Sequence, residues 1–505
     1  MKRNFLKYIS FAALTLFVIG CKPGDFGDLN VSENSPSQPQ TNLLFTNAER
    51  NMAGVVSSLT GRMFTQQNSE TLYTSESRYN LKIYSYAGTY SNPLQDLALI
   101  IKLNTDAATK AAPNVIGNGT NANQIAAARI LKAFFFQSMT DRWGDIPYSE
   151  ALQGLSKATP KFDKQQAIYT DLFKELKEAS AQFDATTVLK GDFLFGGSVA
   201  KWKKFANQIR LNMALRLSKV DPATGKTEFN LALAAGVLAS NADNVSYPYL
   251  AESANENNMY NNYNVAKRYD FTISKTLLDY LQTNSDPRLG VYAERTAPLV
   301  NGVNTGPYVG MPFGITQAAA SAYSIGGFNT AGVFAAGSVS AFGTKFRQQN
   351  SVVTIFTYAE TKFAIAEAYK LGWITGVPDD VNAALNYNDG VTASLSQHGA
   401  AAPAIATYLA QVGIAYDPAN AVKQIITQKW VANYEGYGFE AWADWRRTGF
   451  PTLSPSPNPQ NLGGQIPRRL CYTADEPSLN KTNYLAVVAS QGPDELSTRV
   501  WWDKP

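Results

Sequence analysis

The chain has 505 residues, 45% apolar and 17% charged, a balance that fits a folded protein with a sizeable core and excludes a disordered one. Its formal charge of +4 includes Lys2, Arg3 and Lys7, so the chain beyond residue 20 carries +1, without the broad basic excess of a nucleic-acid binder. A lone histidine, His398, excludes every histidine-pair metal motif and leaves a Ser-His-Asp triad a single candidate base.

MKRNFLKYISFAALTLFVIGC opens the chain as an export leader over 1–20. Lys2, Arg3 and Lys7 form its basic region, and Ile9 to Gly20 is an apolar run of 12 residues, too short to span a bilayer. Val18-Ile19-Gly20-Cys21 resembles a bacterial lipobox, in which Cys21 would receive the lipid and several acyl chains would anchor the protein; the alternative is a plain secretory signal that happens to contain Cys. Cys471 is then left alone, and no intramolecular disulfide is expected. Residues 21–40, rich in Gly, Pro, Ser and Asn, read as a tether, and Asp25 and Asp28 supply only a sparse acidic signal for surface display.

Apolar residues near helical spacing predict a helix over Thr41–Gln67. Glu70–Asn92 loses that periodicity. Tyr73, Tyr79, Tyr84, Tyr86 and Tyr90 stand there among Ser, Thr and Asn, which predicts an aromatic loop. Helices are predicted again over Pro93–Ala111, Asn121–Thr140, Lys164–Phe183, Phe195–Val220 and Asn230–Ala239. Asp141, Arg142 and Asp145, beside Gly144 and Pro147, read as a hydrogen-bonded turn.

The pattern loosens from Asn241 to about Ser351. Asn241–Asp270 is crowded with Asn and Tyr, and Asn301–Gly332 is Gly-rich with scattered aromatics. Gly337–Lys345 lacks the spacing of a phosphate loop. Helix is expected to return at Val352 and to continue through Phe356–Ile374, Val377–Gly399 and Ala404–Val412. His398, where one of these helices ends, reads as a surface cap. NYNDG does not place an oxygen donor at every ligand position of a calcium loop. No metal or cofactor is expected.

Ala421–Pro451 is the most patterned stretch. Ile426, Trp430 and Tyr434 lie four apart, Gly436 and Gly438 break the helix, and Phe439, Trp442 and Trp445 follow three apart, with Arg446 and Arg447 in the last turn. The stretch QKWVANYEGYGFEAWADWRRTGFP, with IPRRLCYTADEPSLNKTNY and the terminal VWWDKP, resembles the C-terminal signature of SusD/RagB outer-membrane lipoproteins. ARILKAFFFQSMTDRWGDIPYSEAL, Phe195–Val220 and Phe356–Ile374 resemble other segments of that family, so the resemblance spans nearly the whole chain after the leader. It is strongest to the SusD-like branch.

Helix pairs joined by tight turns suggest a helical-repeat scaffold, although no clean repeat is visible. The resemblance implies the fold: all-α, tetratricopeptide-like helix pairs forming one domain over 41–505, with loop-rich insertions near 68–92 and 241–351. It also implies a place on the outer membrane, anchored by lipid and facing the cell surface, above a SusC-like TonB-dependent transporter that receives the captured nutrient. A glycan is the expected ligand; peptides or other nutrients are the alternative.

Sugar faces pack on aromatic rings while Asn and Asp bond the hydroxyls. The loop regions Tyr73–Tyr90, Tyr247–Tyr269 and Tyr308–Phe328 combine these residue types, and Tyr79, Tyr84, Asn261, Tyr263, Tyr308 and Tyr323 are the candidate ligand contacts. An enzymatic alternative, a glycoside hydrolase, would use Glu440 and Asp444, four apart on one helix and able to approach to about 5–6 Å. Nearby Arg446 and Arg447 make ion pairing the simpler role, and no catalysis is expected.

Overall fold

The computed structural model describes residues 38–80, 84–184, 189–296, 299–300, 303–304, 306–325 and 337–505. The leader, Cys21, nearly all of the tether and part of Asn301–Gly332 lie outside them.

Helices carry the architecture. α1 (Thr41–Val56), α2 (Gln95–Thr105), α3 (Asn121–Trp143), α4 (Gln165–Gln182), α5 (Val199–Arg216) and α6 (Pro222–Ala235) follow one another, each packed on the next. After a looser stretch come α7 (Lys275–Thr283), α8 (Tyr358–Lys370), α9 (Asp380–Gln397), α10 (Ala421–Ala432) and α11 (Gly438–Thr448), with α8 against both α9 and α10. This serial packing is the all-helical, tetratricopeptide-like arrangement expected. None of the described helices is long and apolar enough to cross a membrane.

Local chemistry sets the boundaries. The Thr120 hydroxyl accepts from the Asn123 amide at 3.2 Å and opens α3. Thr357 and Glu360 form a reciprocal capping box that opens α8. Three expectations need correction. The first predicted helix stops at Val56, and a separate short helix occupies Thr60–Phe64. The helix placed at Asn230–Ala239 begins earlier, because Asp221 caps it and Pro222 fits its first turn, and Gly236 ends it. Val352 does not resume helix: β-branched Val353, Thr354 and Ile355 favour a strand.

That strand belongs to one of two small ladders tying the Asn241–Ser351 stretch to the helices. β1 (Asn68–Glu70) runs antiparallel to β3 (Phe271–Ile273), with Asn68 opposite Ile273. β2 (Val245–Tyr247) runs antiparallel to β4 (Val353–Phe356).

The described core has three large parts, and α10–α11 feeds all of them. Trp442 joins Trp143, Trp202 and Trp502 in the first, each at most 1% exposed. Trp430 and Tyr434 enter the second, with Tyr263, Leu277 and Tyr292. Ile425 and Ile426 enter the third, with Phe363 and Tyr387. The helix beginning at Ala421 is therefore buried on more than the single face its spacing suggested. Two indole N–H groups at this junction have carbonyl partners: Trp430 donates to Thr65 at 3.0 Å and Trp442 to Pro467 at 2.8 Å.

Asp141 is more than a turn residue. It ion-pairs with Arg216 at 2.9 Å and accepts from the Trp502 indole at 2.9 Å. Arg142 lies between the Trp143 and Phe439 rings, at 4.6 and 4.8 Å.

Candidate functional site

The β1–β3 ladder brings two irregular segments side by side, Thr71–Asn80 and Asn257–Asp270. The Thr71 amide donates to the Asp270 carbonyl at 2.9 Å, extending the pairing beyond the strands. On the outer side stands Tyr73, 54% exposed and the one aromatic among the large apolar side chains the described surface exposes. The Arg268 guanidinium lies 5.7 Å from the Tyr73 ring centre and pairs through Nε with Asp270 at 2.8 Å. Tyr269 stands beside it, half-buried, its ring edge-on to Tyr263 at 5.3 Å.

The backbone here is strained. Lys267 and Tyr269 both have φ of 53°, in the left-handed region that side-chain-bearing residues avoid. These two residues flank Arg268. Beneath the platform Glu70 accepts the Ser77 amide at 2.9 Å and hydroxyl at 2.8 Å, and burial pushes its carboxyl up to about 7. The result is an exposed ring with a neighbouring guanidinium and carboxylate, which suits a sugar presenting one apolar face and a rim of hydroxyls.

The turn Asn258–Val265 also forms one wall of a cavity of about 530 Å³. Asn47, Arg50 and Asn51 of α1 face it, with Asn255, Asn258 and Asn261 opposite and Tyr247 and Tyr249 closing its inner side. The Tyr247 hydroxyl donates to Asn255 at 3.0 Å, and Glu256 accepts from Asn261 at 2.7 Å. The neighbouring Asn262 faces the other way and donates to Asp270 at 3.0 Å, so platform and cavity share one turn.

The candidates named from sequence fall into distinct roles. Tyr79 and Tyr263 are both 0% exposed. Tyr79 packs on Phe64 and Phe313 and its hydroxyl accepts the Ser456 amide; Tyr263 donates to the Phe271 carbonyl at 2.7 Å. Both support the loops from below. Tyr84, half-buried, donates to Glu76. Tyr308 lies under the Arg295 guanidinium at 4.5 Å, and Tyr323 packs against Met311, Ala320 and Val339. Of the six, Asn261 alone lines the amide-rich cavity. Tyr73 bounds one of the loop regions read from sequence and Arg268 lies within another, but neither is among the six candidate contacts. The one hint was Leu72-Tyr73, two large apolar residues in a polar run without periodicity.

His398 is not a plain surface cap. It is half-buried, 3.2 Å from Lys345 through Nδ1, and lines a separate cavity of about 390 Å³. Burial, with Lys345 beside it, lowers its pKa to about 3, so the ring is neutral. Glu440 and Asp444 are both buried and ion-paired, but not with Arg446. Glu440 meets Arg216 at 2.7 Å; Asp444 meets Lys429 at 2.7 Å and Arg447 at 2.9 Å. Despite its burial, Lys429 and Arg447 hold Asp444 at about 2.

The helical body carries loops with aromatic and amide groups, and the family it belongs to is shown by its relatives. Residues 33–473 match the model of the SusD-like family described as "starch-binding associating with outer membrane"; the chain belongs to that family. Similar solved structures include a chitin-binding protein, 30% identical, with TM-score 0.75, covering 93% of this chain and all of its own. A SusD homologue from Bacteroides uniformis is 25% identical, with TM-score 0.74 over 93% of this chain and all of its own. A chitin-binding SusD homologue from Flavobacterium johnsoniae is 24% identical, with TM-score 0.71 over 92% of this chain and 99% of its own, a likeness of fold. No curated protein matches the sequence.

Proposed function

We propose that this chain is a lipid-anchored outer-membrane protein that captures a glycan and passes it to a TonB-dependent transporter. The observation that carries the reading is the Tyr73 ring, 54% exposed beside Arg268 on a strained turn, in a protein of the SusD-like family. Exposing a large ring on a rigid support is useful to a ligand with an apolar face. Chitin-binding neighbours make chito-oligosaccharides the first ligands to try. Cys21 supplies the anchor in this reading, residues 21–40 the tether, and 41–505 one binding domain without catalytic activity.

Isothermal titration with chito-oligosaccharides, malto-oligosaccharides and peptides tests the ligand. Tyr73→Ala is expected to weaken glycan binding by about tenfold, equivalent to about 1.4 kcal/mol, while Tyr73→Phe keeps most of it. Equal affinity in Tyr73→Ala and wild type overturns the platform, and binding of peptides alone overturns the glycan. Co-purification of a barrel transporter from mild detergent tests the hand-over.

A further inference from the structure

The amide-rich cavity against α1 holds a glycine that the fold does not need. Gly54 lies in the last turn of α1, on its exposed side, and lines the cavity. An added Cβ there would meet nothing within 4 Å, so no close packing demands glycine. Glycine weakens a helix relative to alanine, because it gives up more backbone freedom on ordering. What Gly54 does provide is a bare stretch of helix that another molecule can approach closely.

The surrounding groups define the occupant. Arg50 makes no ion pair, and the Asn258 side chain no hydrogen bond, among the described residues. One cation, Arg50, is balanced by one anion, Glu256, whose oxygens already accept Asn261 and Gln349 at 2.7 and 3.0 Å. The rest of the polar wall is largely neutral amides, which donate and accept, as ring hydroxyls require.

We infer that this cavity is a second saccharide subsite for an uncharged, hydroxyl-rich sugar unit, with Gly54 as the residue that admits it. The inference rests on the glycan reading of the Tyr73 platform. Because the two sites share the Asn258–Asp270 turn, one oligosaccharide reaches both only when it is long enough to pass around that turn. Shorter ligands use the Tyr73 platform alone. Simultaneous engagement raises affinity without any change in either site.

The test uses wild type, Gly54→Ala, Gly54→Gln and Tyr73→Ala, titrated with a length series of chito-oligosaccharides, and with an oligouronate as the charged control. Wild-type affinity is expected to rise with length. Gly54→Gln should weaken the long oligosaccharides by about tenfold and leave the shortest unchanged. Gly54→Ala should melt slightly higher than wild type, showing that the position tolerates a side chain. If Gly54→Gln binds every length as wild type does while Tyr73→Ala is weakened, the second subsite is refuted and the platform stands. If no chito-oligosaccharide binds, both fail. Tighter binding of the oligouronate, lost with salt, replaces the neutral sugar by an anion at Arg50.

Discussion

The Tyr79 hydroxyl accepts a hydrogen bond from the backbone amide of Ser456 at 3.1 Å, joining residues 377 positions apart. Ser456 in turn donates through its hydroxyl to the Gly314 carbonyl at 2.9 Å, so three irregular segments are fastened at one point. Tyr79→Phe removes only the hydroxyl and leaves a buried amide unpaired. The expected cost is about 1–3 kcal/mol by chemical denaturation, with the Tyr73 platform loosened although Tyr79 is itself buried. Unchanged stability in Tyr79→Phe would show that the fastening is redundant.

Gly61 and Gly438 let two backbones touch. A Cβ on Gly61 would lie 2.6 Å from the Phe439 nitrogen, and one on Gly438 would lie 2.8 Å from the Arg62 nitrogen. Backbone cannot yield as a side chain can, so Gly61→Ala is expected to destabilise by several kcal/mol, about the upper range for single substitutions. Thermal melting checks this, with Gly54→Ala as the tolerated control.

Arg62 and Glu435 meet beside that contact at 2.8 Å, both buried, and Arg62 also donates to the Gly436 carbonyl at 2.7 Å. Glu435 adopts φ of 55°, a conformation its contacts must hold. Arg62→Met leaves the carboxylate uncompensated and should cost about 3–5 kcal/mol, while the double variant with Glu435→Leu recovers much of it. A double variant no better than Arg62→Met would refute the charge argument.

Burial raises the Glu70 and Glu360 carboxyls from 4.5 to about 7, the effect on Glu360 partly offset by Lys429. Groups protonated in the fold but ionised in the open chain stabilise fully below pH 4.5, and that contribution is lost as pH rises through about 7. Glu360→Gln keeps a side chain able to complete the capping box and removes the titration. The variant should gain on wild type by roughly 2–3 kcal/mol between mildly acidic and mildly alkaline pH, read from urea denaturation. A constant difference across that window would exclude Glu360 as the source.

The helical scaffold was legible because its signal is local. Trp202, Phe205, Ile209 and Met213 repeat at helical spacing whatever else the chain does, and the family segments sit on such helices. The loop regions were legible as regions, through their Tyr and Asn content. The individual residues were not, because no periodicity says which side of an irregular segment faces water. Tyr73 and Tyr79 share one short polar run, yet one is exposed and the other buried by a left-handed turn and a partner at Ser456. Arg268 carries no signal until β1 and β3 pair. Gly54 did leave a trace, a glycine inside a predicted helix, whose meaning required the open space above it.

The Gly61–Gly438 crossing also has a consequence for the order of assembly. The first core includes Trp442 and Trp502 from the last part of the chain as well as Trp143 from α3. Chain emerging from its amino end therefore accumulates helices with greasy flanks exposed until the final segments arrive. Contacts of such sequence separation close late and slowly, because loop entropy must be overcome before they form. A nascent chain kept open in this way remains threadable, and the same exposure makes it dependent on holding chaperones until synthesis is finished.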